Sequence, residues 1–536
     1  MAQDNVTNIK VFCQGGLNTV DSDFKLSNTN PGAATILHNF EPCGEGYRKV
    51  KGWSGITNNF INPGEYPIGV GVLDRNYPWG AKLNSAENAY TLWYFLGPSF
   101  FMINYPGTLA AYPETKVEGR IIQFQNESGT IFTDGINNAF IYRYNFNTFH
   151  ILNSTNTGGS LSPGGDQVLD APSFSAVFKN HLFLTGDSNY PNIICHSNPN
   201  DEFSFTAAGG GGQIICPFKV VQIAVLDDIL YVFGTNKIMR VIADGASGFL
   251  LQDFAIDVGT IFPRSIVEMD KTLYFVSMEG VRYITREGQL SPVISSPIRE
   301  NFQSFIWEAL RSNGGIVSVP IRNKNQIRFV FQPQKRTAPG SFRNKFIMAK
   351  VDSQNGPSFQ FSTIDFPVLY AGYSNVFSEG GVADSFASGS SEAYFFFGQN
   401  NDRLQLLEYT NKTGEPPSDI TSTYQTPYID MGDTEIRKNI RTVTVFLKRK
   451  GNNPSTNPIP LTLSVSYDWD NTSLNPPDYT YPGVAYVEEI NTEGSGRSVR
   501  FKFVLSGSVD DNLATYTKTE YIITGFVVEF TPEGRQ

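Results

Sequence analysis

The sequence predicts an all-β protein: an irregular β-propeller of six to eight blades with one inserted short helix, plus a C-terminal antiparallel β-sandwich domain. Three observations lead there. The first is an internal repeat, in which Ile223–Val241 (IAVLDDILYVFGTNKIMRV) aligns without a gap on Ile266–Ile284 (IVEMDKTLYFVSMEGVRYI) at an offset of 43 residues. Each copy reads as apolar strand, Asp-led turn, apolar-aromatic strand, Gly-containing turn and apolar strand, with no helical spacing of apolar residues. A unit of this size cannot bury its own apolar face, so copies must stack in a row or a ring. The second is recurrence: the apolar-aromatic strand starts near residues 92, 131, 182, 230, 273, 327 and 394, at spacings of 39, 51, 48, 43, 54 and 67. About 40–50 residues per unit is the length of a four-stranded propeller blade. The third is composition, since 49 Gly, 31 Pro, 42 Phe and 25 Tyr with only 17% charged residues suit short strands and tight turns.

In chain order, residues 1–60 read as a wrapping arm, rich in Asn and Gly, whose short strands include one that can close the ring. Within it Gly44–Trp53 mixes basic and bulky residues and reads as an edge strand kept soluble by Arg48, Lys49 and Lys51. The propeller follows over 61–412. Its strand pairs are Thr91–Leu96 with Phe100–Ile103, Thr130–Thr133 with Ala139–Tyr144 across an Asp134-Gly135 turn, and Phe174–Phe178 with Leu182–Leu184, whose outgoing strand is Pro191–His196. The repeat comes next, then Gln326–Phe331 with Lys345–Lys350 and Ala393–Gly398 with Leu404–Tyr409.

Between Ser296 and Gly314 the apolar residues Ile298, Phe302, Phe305, Ile306, Ala309 and Leu310 recur at helical spacing, with Ser296 as N-cap, Pro297 at the first helical position and Trp307 off the stripe. The polar Thr410–Ser422 break marks a boundary, and 413–536 holds the long alternating strands of the sandwich: Arg441–Lys448, Leu461–Tyr467, Ser498–Leu505 and Tyr521–Phe530.

Composition also excludes functions. With 51 acidic and 41 basic residues the formal charge is −10, which argues against holding nucleic acid by phosphate neutralisation. Four scattered cysteines make no disulfide framework and read as reduced thiols. No Sec-type signal and no membrane-spanning run is expected.

Candidate chemistry reduces to structure at each position. Cys195-His196 is the only Cys–His neighbour pair, but adjacent strand residues face opposite sides, so the reading is a buried Cys beside a surface His. The four histidines (His38, His150, His181, His196) lack paired zinc-ligand spacing. Gly209–Gly212 lacks the Lys-Ser/Thr of a phosphate loop and reads as a flexible loop; Asp227 and Asp270 read as turn residues rather than paired carboxylates. Asp468–Asn471 lacks the Gly and distal Glu of a calcium loop. No catalytic, cofactor-binding or metal residue is assigned, no cofactor is expected, and the chain reads as a non-enzyme. The alternative is a carbohydrate-binding or glycan-cleaving propeller in host recognition, with Trp79, Trp93 and Tyr94 available to stack on sugars.

Several stretches resemble one family. Pro31–Trp53, Val293–Phe302 (VISSPIRENF), Tyr428–Gly432, Leu461–Asp468 and Gly525–Phe530 are similar to the tail nozzle proteins of short-tailed bacteriophages, also called tail tubular protein B or tail hub-stabilisation proteins. That resemblance implies a structural virion protein assembled in the host cytoplasm: a homohexamer forming the lower tail tube, attached to a tail adaptor ring and carrying fibres or spikes, with phage DNA passing through its lumen without sequence-specific binding. An acidic lumen would repel phosphate and let DNA slide. Insertions such as Ala207–Gln213 and Gln332–Phe342 are expected to narrow the lumen or meet partners.

Overall fold

The computed structural model describes residues 6–533 apart from 154–167, 333–344, 374–393, 399–403, 408–419, 451–459, 469–477, 507–519 and shorter stretches of one to six residues. Among the described residues seven β-sheets follow one another around a ring. Five are complete four- or five-stranded blades. Blade 1 spans Tyr66–Ala110, blade 2 Glu118–Ile151, blade 3 Phe174–Ile215 and blade 4 Gln222–Ile256. Blade 5 has three strands within Val267–Ile284, and blade 6 is formed by four strands within Gly315–Thr363. Blade 7 combines Val368–Tyr373, Tyr394–Gly398 and Leu404–Leu407 with Trp53–Gly55 from the N-terminal segment. The expected closing strand is therefore Trp53–Gly55, paired with Leu404–Leu407 in the register Leu407↔Trp53.

The first strand of each blade lies innermost and packs on its neighbour: Tyr66–Val72 on Glu118–Phe124, that on Phe174–Phe178, that on Gln222–Leu226. The series continues from Val267–Met269 to Gly315–Ile321 to Val368–Tyr373 and back to Tyr66–Val72. Blades 4 and 5, the internal repeat, share one core in which Leu226, Tyr231 and Phe233 meet Leu273, Phe275 and Ile284. Stacking the copies buries the face that neither could bury alone.

Local chemistry sets the hairpins. The two-residue turns Lys179-Asn180 and Asp270-Lys271 place both central residues at positive φ, from 48° to 63°, between the paired ends Phe178↔His181 and Met269↔Thr272. That backbone twist matches the twist of the flanking strands. Asp227 occupies the equivalent position at φ 49°. In blade 2 the Asp134 carboxylate accepts from the backbone N–H of Ile136 and Asn137, both at 2.8 Å. The seven predicted markers fall on the second strand of blades 2–7 and the third of blade 1.

The terminal segments share their sheets. A seven-stranded sheet joins Thr7–Phe12, Phe40–Cys43 and Gly46–Lys49 to Glu520–Pro532, Lys438–Lys450, Val487–Asn491 and Ser495–Gly496. Facing it is a nine-stranded sheet in which blade 6 continues through Ile36–His38 into Ser422–Gln425, Val499–Leu505, Leu461–Tyr467 and Asp478–Tyr481. One continuous core lies between them, uniting Val11, Phe40 and Tyr47 with Phe329, Val445, Phe503 and Phe526. The arm at 1–60 and the sandwich at 413–536 are thus two halves of one β-domain that uses blade 6 as a wall; the predicted cut at 412/413 lies outside the described residues.

Three expectations change. Gly46–Lys49 is an interior strand, paired with Phe40–Cys43 on one side and with Ile522 and Ile523 on the other. Its Lys49 is buried and donates to the carbonyl of Ile420 and to Ser422 Oγ. The predicted helix begins as a 3₁₀ turn, Ser296–Ile298, and no side chain caps the helix proper, Arg299–Arg311. Its stripe is as predicted, with Phe302, Phe305, Ile306 and Ala309 buried and Trp307 turned outward. A further helix, α1 (Asp23–Thr29), has Ser22 as N-cap and has no counterpart in the sequence reading, which makes Arg299–Arg311 the second, α2.

Candidate functional site

Residues of three of the resembling stretches, Phe40 and Tyr47, Ile298 and Phe302, and Ile429 and Met431, belong to the core shared by the propeller and the terminal β-domain, and the last of these stretches builds a cleft. At Met431-Gly432 two successive left-handed residues, φ 52° and 98°, reverse the chain after Asp430. The N–H of Gly432 donates to Asp430 Oδ1 at 3.2 Å and that of Asp430 to Ser27 Oγ of α1 at 3.0 Å. Lys438 fastens the same corner by donating to the carbonyls of Asp430 (2.6 Å) and Arg497 (3.0 Å). Asp23, at the first turn of α1, pairs with Arg500 at 2.5 Å, and that guanidinium lies 4.0 Å from the centre of the Tyr428 ring.

The resulting cleft has a volume of about 560 Å³, with Phe24, Asp430, Arg437, Arg497, Asp468 and Glu533 among its lining residues. Its lining carries both acidic and basic groups. Among the described residues no group of three His, Cys, Asp or Glu side chains is placed to hold a metal. Asp468, the first residue of the stretch compared with a calcium loop, caps backbone instead, accepting from the N–H groups of Arg497 (2.5 Å) and Ser498 (3.3 Å); Trp469–Asn471 lie outside the described residues.

The hub of the propeller is bridged. Arg264, which precedes blade 5, reaches Glu118 on the innermost strand of blade 2 at 3.3 Å and donates to the carbonyl of Lys116 at 3.2 Å. Blades 2 and 5 are not neighbours, so these contacts cross the ring. Burial, with Arg264 beside it, pulls the Lys116 ammonium down to about 8. A propeller glycosidase would present a carboxylate pair here; Glu118 is engaged by a guanidinium.

The other sequence candidates are scattered. Cys195 and His196 do face opposite sides of their strand, but both are buried, which corrects the surface reading of His196. Burial pushes the Cys195 thiol up to about 12 and draws His196 down to about 4, the reverse of what a thiolate–imidazolium pair needs. His181 and His196 approach one carbonyl, that of Ser197, at 2.5 and 3.3 Å, with Phe183 and Phe249 around them.

Gly212–Ile215 is the outermost strand of blade 3, and Ala207–Gly209 forms a 3₁₀ turn whose neighbour Asn198 donates to Ser204 and Thr206. Of the glycine run, Gly209 closes that turn, Gly210 follows in the left-handed region at φ 96°, and Gly212 opens the edge strand. Of the insertion Gln332–Phe342, Gln332 ends its strand in blade 6 and the remainder lies outside the described residues. Asp227 pairs with Arg286, whereas Asp270 sits in the next blade's turn.

Trp79 is core, clasped by Gly69, Gly71 and Gly119. Trp93 and Tyr94 are half-buried and, as strand neighbours, face opposite sides: Trp93 under Lys82, Tyr94 among Phe101 and Tyr144. They do not form one platform.

No family model matches the chain, and no curated protein matches it. Among solved structures it is similar to a chain of the mitotic checkpoint complex (12% identity, 69% of this chain and 93% of that one, TM-score 0.38). It is also similar to YCF48 from Cyanidioschyzon merolae (9%, 66% and 98%, TM-score 0.36) and to XC5397, a gluconolactonase from Xanthomonas campestris (11%, 60% and 94%, TM-score 0.31). At such low scores none of these likenesses extends to function.

Proposed function

We propose that this chain is a structural, non-enzymatic subunit of a short-tailed bacteriophage tail: the nozzle that forms the lower tail tube. The observation that carries the reading is where the resembling stretches lie. Pro31–Trp53 threads from the terminal β-domain to the last blade, Val293–Phe302 leads from blade 5 into α2, and Tyr428–Gly432 forms the corner of the cleft. Residues of all three stretches, among them Phe40, Ile298 and Ile429, share the one core that joins propeller and terminal domain. Burial of the Cys195 thiol and the engagement of Glu118 by Arg264 argue against a thiolate nucleophile and a free hub carboxylate at those two places. The subunits would form a homohexamer below the tail adaptor and bear fibres or spikes, and their net acidity would let DNA pass through the lumen without adhering.

Electron microscopy of the purified chain, alone and mixed with the adaptor of its tail, tests this. Six-fold rings with an open lumen are expected. Single subunits in both samples, together with binding or turnover of glycans, would sink the reading.

A further inference from the structure

The outer face of the seven-stranded sheet is written in rows that its register makes explicit. One row runs Phe12, Gly525, Phe446, Val487; the next Lys10, Val527, Thr444, Glu489; the third Asn8, Glu529, Thr442, Asn491. Residues opposite one another across paired strands share a face. The rows between these, with Val11, Phe526, Val445 and Ile490, belong to the core. On the outer face Phe12, Phe446 and Val487 are 66%, 39% and 48% exposed. Between the two phenylalanines Gly525 has no side chain, and one there is excluded because a Cβ would lie 2.5 Å from the carbonyl oxygen of Val11.

We propose that a second copy of this chain docks on this face, related by a two-fold axis running along the strands between Lys438–Lys450 and Glu520–Pro532. Such an axis lays each row on itself in reverse order. Phe446 of one copy lies over Gly525 of the other, Phe12 meets Val487, and Val527 meets Thr444. Lys10 meets Glu489 at both ends of the second row. Lys10 and Glu489 are exposed, at opposite edges of the sheet, and neither has an ionic partner among the described residues. Turning the axis across the strands would instead set the apolar row against Asn8, Thr442 and Asn491, so only the lengthwise axis pairs like with like and opposite charge with opposite charge.

The two longest strands have 13 residues each. At roughly 3.4 Å per residue and about 4.8 Å between four strands, the face covers up to about 600 Å² per copy. About 1,200 Å² in total is the lower limit of specific interfaces, so a reversible dimer is expected, populated at tens of micromolar chain. The contact closes at two copies and is separate from any that generates a ring.

Sedimentation equilibrium of the full chain tests it, with circular dichroism as a check of folding. Lys10→Glu and Glu489→Lys should each weaken dimerisation about tenfold or more, because each replaces two attractive pairs by two repulsive ones. Mixing the two variants should restore dimers, since the introduced carboxylate then faces the introduced ammonium at one end of the row, while Lys10 faces Glu489 at the other. Phe446→Ser should also dissociate the pair. A wild type that stays monomeric at tens of micromolar, or variants that associate like the wild type, or a mixture that fails to recover, overturns the proposal.

Discussion

Acid should loosen the contact between blades 3 and 4, and His196 is the group through which it acts. Its ring is buried against Phe183, Phe249 and His181, and its Nε2 lies 3.1 Å from where a Cβ on Gly212 would stand. The titratable group that faces it is His181, another potential cation; no carboxylate is among its influences. Burial is the main reason His196 falls from 6.5 to about 4, with the Ser197 carbonyl opposing and His181 assisting. Because the folded value is depressed, the unfolded chain binds a proton first as pH falls. Stability is therefore complete above pH 6.5, declines below it, and has lost its full share by about pH 4. A fall from 6.5 to about 4, at about 1.36 kcal/mol for each pH unit, gives a loss of about 3 kcal/mol. The assay is urea unfolding of wild type and His196→Gln at several points from about pH 7.5 down to about pH 4. Carboxylates titrate in both proteins, so the difference between the curves isolates this ring, and the variant should lose about 3 kcal/mol less on acidification. Parallel curves would refute the reasoning.

Three further outcomes are expected. Glu41 is buried among Arg328 (2.6 Å), Lys324 (3.0 Å) and Arg48 (3.8 Å), so Glu41→Ala removes the carboxylate of a buried ion pair and should cost about 3–5 kcal/mol in urea unfolding, with Glu41→Gln milder. Gly119→Ala places a methyl 2.6 Å from the Trp79 ring; it should cost about 1–3 kcal/mol and shift the near-ultraviolet circular dichroism of that tryptophan. In the native protein a thiol reagent should label Cys43 well before Cys13, Cys195 and Cys216, which are buried, the last two with thiols pushed up to about 12; equal labelling of all four without unfolding would contradict this.

Sequence by itself determined the units of this protein. A pattern of period two, broken by Asp, Asn and Gly at fixed places, specifies a hairpin through contacts between residues a few positions apart, so the repeat at 223–284, the turn at Asp134-Gly135 and the stripe of α2 were all legible. Tertiary structure alone decided how distant pieces complete each other. Lys49 looked like the solubilising residue of an edge strand, yet Ile420 and Ser422, more than 370 positions away, satisfy its ammonium in the core. His196 looked external because its strand neighbour is internal, but a propeller blade has another blade against each face, so both sides of the strand are covered. The cleft was invisible for the same reason: Ser27, Asp430 and Arg497 become neighbours only once the first and last strands of the chain share a sheet, and no local spacing encodes a pairing between Ser27 and Asp430, 403 residues apart.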